Sequence, residues 1–235
     1  MKRKRTAADL PRFAHHFVEG GNETEPLIPT TAPEPATDAP LAAPPAGPRP
    51  EAGPPPEGVD VAASVASYQA NPPHNVNGWE LKVNTPTIKA YVHDTRVLVA
   101  VRGTADREDL RADVSIPLNR ISGTTRYQTD ARTVRQLIAR FHGYRFYLTG
   151  HSLGSAISLQ LTREFPGVFV HAEEFNGALQ PRDILFQNQA VHETYASTDP
   201  LYLTGGRFWR YKRVIPTPNI NSLTAHKLAT LQRLL

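Results

Sequence analysis

The chain contains no cysteine. That excludes a disulfide framework and a thiolate metal site, and it favours an intracellular setting, cytoplasmic or nuclear. No apolar run approaches the ~20 residues needed to span a bilayer, so no transmembrane segment is expected. The N-terminus also lacks the apolar stretch of a secretory signal, because Lys2-Arg3-Lys4-Arg5 leads into mixed sequence. No internal repeat is visible.

What is present is unevenly spread. Thirteen of the 22 prolines lie in residues 1–60, twelve of them between Pro26 and Pro56. Beyond Leu27, Ile28 and Leu41 that stretch has almost nothing apolar to bury. It cannot recover the entropy cost of ordering, so residues 1–60 are expected to form a disordered basic arm and a Pro/Ala-rich linker. Residues 61–235 then form a single domain, large enough to bury roughly 70% of the unfolded chain's surface. Residues 1–60 hold six Lys/Arg against nine Asp/Glu, and the domain holds 20 against 13. The domain is therefore the basic part, rich in arginine. Such a surface either keeps the domain soluble or draws it to an anionic membrane. Lys2 to Arg5 reads either as a solvated terminus or as a nuclear-import or nucleic-acid contact arm.

Along the domain, strands and helices alternate. Val61 to Ala70 reads as a short helix stopped by Pro72-Pro73. Trp79 to Val83 and Thr87 to His93 read as strands, with a turn at His93-Asp94-Thr95. Arg96 to Val101 is apolar after its first residue and β-branched, as a strand buried on both faces should be. Tyr127 to Phe141 places Ala131, Val134, Leu137, Ile138 and Phe141 on one helical stripe, and Gly143 stops it. A strand at Tyr144 to Thr149 and a helix from Ser152 to Phe165 follow. Val168 to Phe175, His192 to Ser197 and Phe208 to Ile215 read as further strands, and Asn221 to Leu235 as a closing helix. The pattern predicts an α/β fold with a mostly parallel central sheet flanked by helices. Ala7 to Val18 could form a weak helix.

Gly150-His151-Ser152-Leu153-Gly154 lies at the strand-to-helix turn. A serine held there by flanking glycines is a nucleophile elbow: the turn exposes the hydroxyl, and the Leu153 N–H opens the helix, aimed at developing negative charge. A serine hydroxyl needs a histidine base and a carboxylate to orient it, following in the order Ser, Asp/Glu, His. Only His171, His192 and His226 follow Ser152. His171 lies inside a predicted strand, and His192 precedes every acid placed after a later strand end. His226 sits at a loop-to-helix boundary and is the expected base. Asp199, just past the His192–Ser197 strand, is the expected acid on the rim where open α/β sheets build their sites, unless it serves only an Asp-Pro turn. Asp183 reads better as a helix N-cap, and Glu193 points from within a strand. Arg102-Gly103-Thr104 ends the buried strand, where Thr104 could supply a second oxyanion donor or merely close a turn.

These residues resemble the class 3 lipases, the fungal-lipase-like α/β-hydrolases. The resemblance rests on Val99-Ala100-Val101-Arg102-Gly103-Thr104, Gly150-His151-Ser152-Leu153-Gly154, Phe175-Asn176-Gly177-Ala178, Thr198-Asp199-Pro200 and His226. It implies a compact α/β-hydrolase fold and acyl-ester hydrolysis of a lipid or other ester. Ser152 would be nucleophile, Asp199 and His226 its partners, and Thr104 and Leu153 the oxyanion hole; no metal or cofactor is expected. The chain departs from the family in lacking a tryptophan between Ala105 and Asp113 and in being short. Any lid would come from about Ala105 to Arg126, where Leu110, Val114, Ile116 and Leu118 could line its underside or belong to the core. Two other roles fit the same residues: a non-catalytic α/β-hydrolase interaction module, or a virion- or nucleic-acid-associated protein carrying a lipase-like domain.

Overall fold

A run such as Val97–Val101 is at home only between two covered faces, and the sheet is organised around it. The structure is a computed structural model that describes Pro55, residues 58–104, 118–185 and 187–235, with the backbone alone at 118–120. The expected arm thus lies outside the described residues except at Pro55 and Gly58–Asp60, as do the Ala7–Val18 helix, Lys2–Arg5 and residues 105–117 of the expected lid.

Eight strands form one sheet in chain order: β1 (Asn75–Val76), β2 (Trp79–Asn84), β3 (Ile88–His93), β4 (Arg96–Val101), β5 (Arg145–His151), β6 (Phe169–Phe175), β7 (Val191–Ala196) and β8 (Lys212–Ile215). The first four pair antiparallel and the run from β4 to β8 is parallel. The hairpin between β1 and β2 turns at Asn77-Gly78, both at positive φ, which suits a two-residue turn between right-twisted strands.

Alternation along β4 and β5 builds two cores. Val97, Val99, Val101, Phe146 and Leu148 face α2 (Thr125–Arg140) and α3 (Leu153–Glu164). Leu98, Ala100 and Tyr147 face α1 (Val59–Ala66) and Trp79. The predicted stripe on α2 holds: Ala131, Val134 and Leu137 are buried, with Ile138 and Phe141 packed beside them. A third cluster, with Val61, Phe175, Ala196 and Ala225, joins α1 to the C-terminal α7 (Leu228–Leu234). Ile121, in the 3₁₀ turn Leu118–Gly123, is buried in the first core. Among the described residues no helix is long and apolar enough to cross a membrane.

The helix expected at Val61–Ala70 is α1, which ends at Ala66, and three other expectations differ in detail. The strand expected at Phe208–Ile215 is present only as β8, because the Gln187 side chain occupies the backbone before it. Gln187 donates to the Phe208 carbonyl at 3.0 Å and accepts from the Arg210 N–H at 2.7 Å. The closing helix is split into α6 (Ser222–Ala225) and α7, for a reason that belongs to the site. Asp183 is not an N-cap: it lies within α4 (Pro181–Leu185), where it accepts the Gln180 N–H at 2.6 Å, reaching back as a capping-box acid does.

Candidate active site

The turn at Ser152 is where the chain adopts a costly conformation. Ser152 has φ 57° and ψ −120°, well outside the basins a serine prefers. Its N–H donates to the Phe175 carbonyl, and its own carbonyl accepts from Ala178, so β6 and the segment after it hold the turn in place. The glycines are required by contact. A Cβ on Gly154 would lie 2.3 Å from the Val101 carbonyl oxygen, and one on Gly150 would lie 2.7 Å from both Glu174 Oε2 and the Gly154 carbonyl carbon. The N-terminus of α3 is thereby pressed onto the end of β4.

That close approach brings the predicted residues together. Ser152 Oγ lies 3.1 Å from His226 Nε2, and His226 Nδ1 lies 2.7 Å from Asp199 Oδ2. All three residues are buried. Asp199 serves two purposes. It caps the short α5 (Pro200–Thr204), Oδ1 accepting the Leu201 N–H at 2.7 Å, and this leaves Oδ2 for the histidine. The Asp-Pro turn and the acid position are one device, with Pro200 at the first helical position.

His226 sits between α6 and α7. Asn176 Nδ2 donates to the Ala225 carbonyl at 3.1 Å and to the His226 carbonyl at 3.3 Å, while its Oδ1 accepts the Ala196 N–H. Carbonyls that a continuous helix would use are held by the sheet instead, so the closing helix breaks at the histidine. Asn176 is itself strained, at φ 45°. It belongs to the Phe175–Ala178 stretch that carries the resemblance, which assigns it no role of its own.

The expected oxyanion residues adjoin this row. The Leu153 N–H is the first of α3, one of the four that no intrahelical carbonyl can reach. Thr104 follows Gly103, whose missing Cβ would lie 2.4 Å from the His151 carbonyl oxygen, so the segment after β4 rests on the residue preceding the serine. The discarded candidates stay apart. His171 and His192 stand in β6 and β7 with rings 5.0 Å apart, and Asp183 is buried against Arg163. Glu193 is buried beneath the elbow, taking the Ser155 hydroxyl at 2.8 Å and the Gly177 N–H at 3.2 Å.

Two residues at the site carried no expectation. His151 Nδ1 is 2.8 Å from the Tyr68 hydroxyl, and its Nε2 is 2.7 Å from the His226 carbonyl. Burial, reinforced by the neighbouring His226, pushes the His151 ring down to about 3. Among the described residues no group of three or more His, Asp or Glu is placed to hold a metal ion.

Residues 98–165, from β4 through α3, match the family model "Lipase (class 3)". A GDSL esterase/lipase of Arabidopsis thaliana is 31% identical over 78 residues, 31% of this chain and 22% of that protein, so the chain matches about a fifth of the length of this relative. Among solved structures, the Lip2 lipase of Yarrowia lipolytica gives a TM-score of 0.47 at 16% identity, covering 72% of this chain and 81% of that one. The Rhizomucor miehei lipase propeptide complex gives 0.45 at 15%, covering 64% of each. The chain thus matches the class 3 lipase family over the segment that carries Thr104 and Ser152, within an α/β-hydrolase fold.

Proposed function

We propose that this protein is a serine carboxylic-ester hydrolase acting on lipid esters through an acyl-enzyme. The observation that carries the reading is the row Asp199–His226–Ser152, with contacts of 2.7 and 3.1 Å. His226 Nε2 accepts the Ser152 proton as Oγ attacks the acyl carbonyl. Asp199 keeps the remaining imidazole proton on Nδ1 and stabilises the imidazolium. The Leu153 N–H and Thr104 receive the oxyanion of the tetrahedral intermediate. His226 then protonates the leaving alcohol, and the acyl-serine is hydrolysed by a water that gives its proton to His226.

The lipid class rests on the family match and on apolar surface beside the row. Leu203 and Leu223, 53% and 57% exposed, stand on the helix that Asp199 caps and on the helix that His226 ends. Fluorophosphonate labelling tests the reading, with a chain-length series of esters and phospholipids. Wild type should take the probe and Ser152→Ala should not; equal labelling would sink it, and a protein that takes no probe and hydrolyses none of the series would be an interaction module. Thr104→Val keeps the backbone N–H but removes the hydroxyl. We expect about a 10²-fold lower kcat with KM little changed, and an unchanged kcat would restrict the oxyanion hole to main-chain donors.

A further inference from the structure

We propose that His151 is a positioning residue whose ring ties the loop carrying His226 to the segment after β4 that carries Thr104. The proposal rests on the reading of His226 as the base. Each hydrogen bond in this tie has its direction forced by its neighbour. The His226 carbonyl can only accept, so the His151 Nε2 at 2.7 Å must carry the proton. The ring is buried and stays neutral, so it has no second proton and Nδ1 is an acceptor. The Tyr68 hydroxyl therefore donates to Nδ1 at 2.8 Å. Burial raises the Tyr68 phenol, which keeps that proton in place. The Tyr68 oxygen, its proton spent, accepts the Gly103 N–H at 3.2 Å. One directed chain thus runs from Gly103 through Tyr68 and His151 to the His226 main chain.

Two further features agree. The His151 and His226 rings are 4.9 Å apart, so a charged His151 would oppose the imidazolium that turnover creates at His226. A neutral His151 holds the base without that repulsion. A Cβ on Gly103 would lie 2.4 Å from both the Tyr68 hydroxyl oxygen and the His151 carbonyl oxygen, so a side chain there would push the tie apart. Asn176, the residue after β6, braces the same carbonyl, and His151 extends the contact toward the Thr104 side.

Three variants of the full chain test this. His151→Phe keeps the ring and removes both bonds; kcat should fall about 10- to 100-fold, the range a misplaced catalytic group gives, with KM little changed. His151→Gln restores a donor near the Nε2 position and should recover most of that loss. Tyr68→Phe breaks the chain at its far end and should cost kcat several-fold, which decides the matter should His151→Phe not fold. Wild-type kcat in His151→Phe, or in Tyr68→Phe where His151→Phe does not fold, would overturn the proposal, as would a His151→Gln enzyme no better than His151→Phe. Imidazole nitrogen NMR supplies a readout independent of hydrolysis. It should find His151 protonated at Nε2 and bare at Nδ1, and the reverse tautomer would overturn the tie even in an active enzyme. Failure of wild type to take the fluorophosphonate probe would instead refute the hydrolase reading and leave the tautomer result standing.

Discussion

Ser152→Ala is expected to lower kcat about 10⁶-fold and Asp199→Asn about 10⁴-fold. In the proposed mechanism the serine carries the covalent step, so its loss leaves only the oxyanion donors and binding. The aspartate acts through the imidazole. With Asn at 199, the amide can present its NH₂ toward His226 Nδ1, favouring the tautomer that leaves Nε2 protonated and unable to accept from Ser152. The Oδ1 contact to the Leu201 N–H is retained by the amide oxygen. Asp199→Asn should therefore keep the α5 cap and melt close to wild type while losing turnover. Asp199→Ala removes cap and orientation together, and loss of a cap alone costs about 1 kcal/mol. Steady-state kinetics with thermal melting separates the two roles. An Asp199→Asn enzyme with more than about a tenth of wild-type kcat would remove Asp199 from the row.

The second large effect is on stability and comes from two acids beneath the elbow. Glu174 and Glu193 are register partners on β6 and β7, and both are buried. Glu174 fills space beside Gly150, and Glu193 fills the space beside Gly177. Burial pushes the Glu193 carboxyl up to about 8, hydrogen bonds from Ser155 and Gly177 only partly opposing it. Burial and then the Glu193 charge raise Glu174 well above the ordinary range. The folded protein therefore holds a proton on Glu193 that the unfolded chain releases near pH 4.5. Between pH 4.5 and about 8 the unfolded state binds fewer protons, so stability falls as pH rises, by about 1.4 kcal/mol per unit for such a group. Glutamine matches the protonated acid in shape: its amide oxygen can take the Gly177 N–H and its NH₂ can donate to Ser155. Glu193→Gln should leave acid stability nearly unchanged and gain on the order of a few kcal/mol at alkaline pH. Urea unfolding across that range measures it; an identical slope in the variant would show that Glu193 is not the group that titrates.

Much of the site was legible because its parts are local. The elbow needs two glycines around one serine, and the collisions at Gly150 and Gly154 show why no other residue serves there. Chain order then singled out Asp199 and His226, and the apolar run at Val97–Val101 announced a strand covered on both sides. Local pattern failed where a side chain from elsewhere satisfied the backbone. Gln187 took bonds that would have lengthened β8, and Asn176 with His151 took carbonyls that would have carried α6 into α7.

The sequence by itself determined the layered α/β arrangement, the strained serine turn and the residues around it, because hydrophobic period, glycine placement and chain order are properties of neighbours along the chain. Only the tertiary structure decided that Asp199 can cap a helix and face His226 at once, and that Tyr68, 83 residues before His151, orients that ring. The reason is physical. A hydrogen bond across the sheet depends on register and on the close approach of β4 to α3, and neither leaves a periodic trace in the sequence.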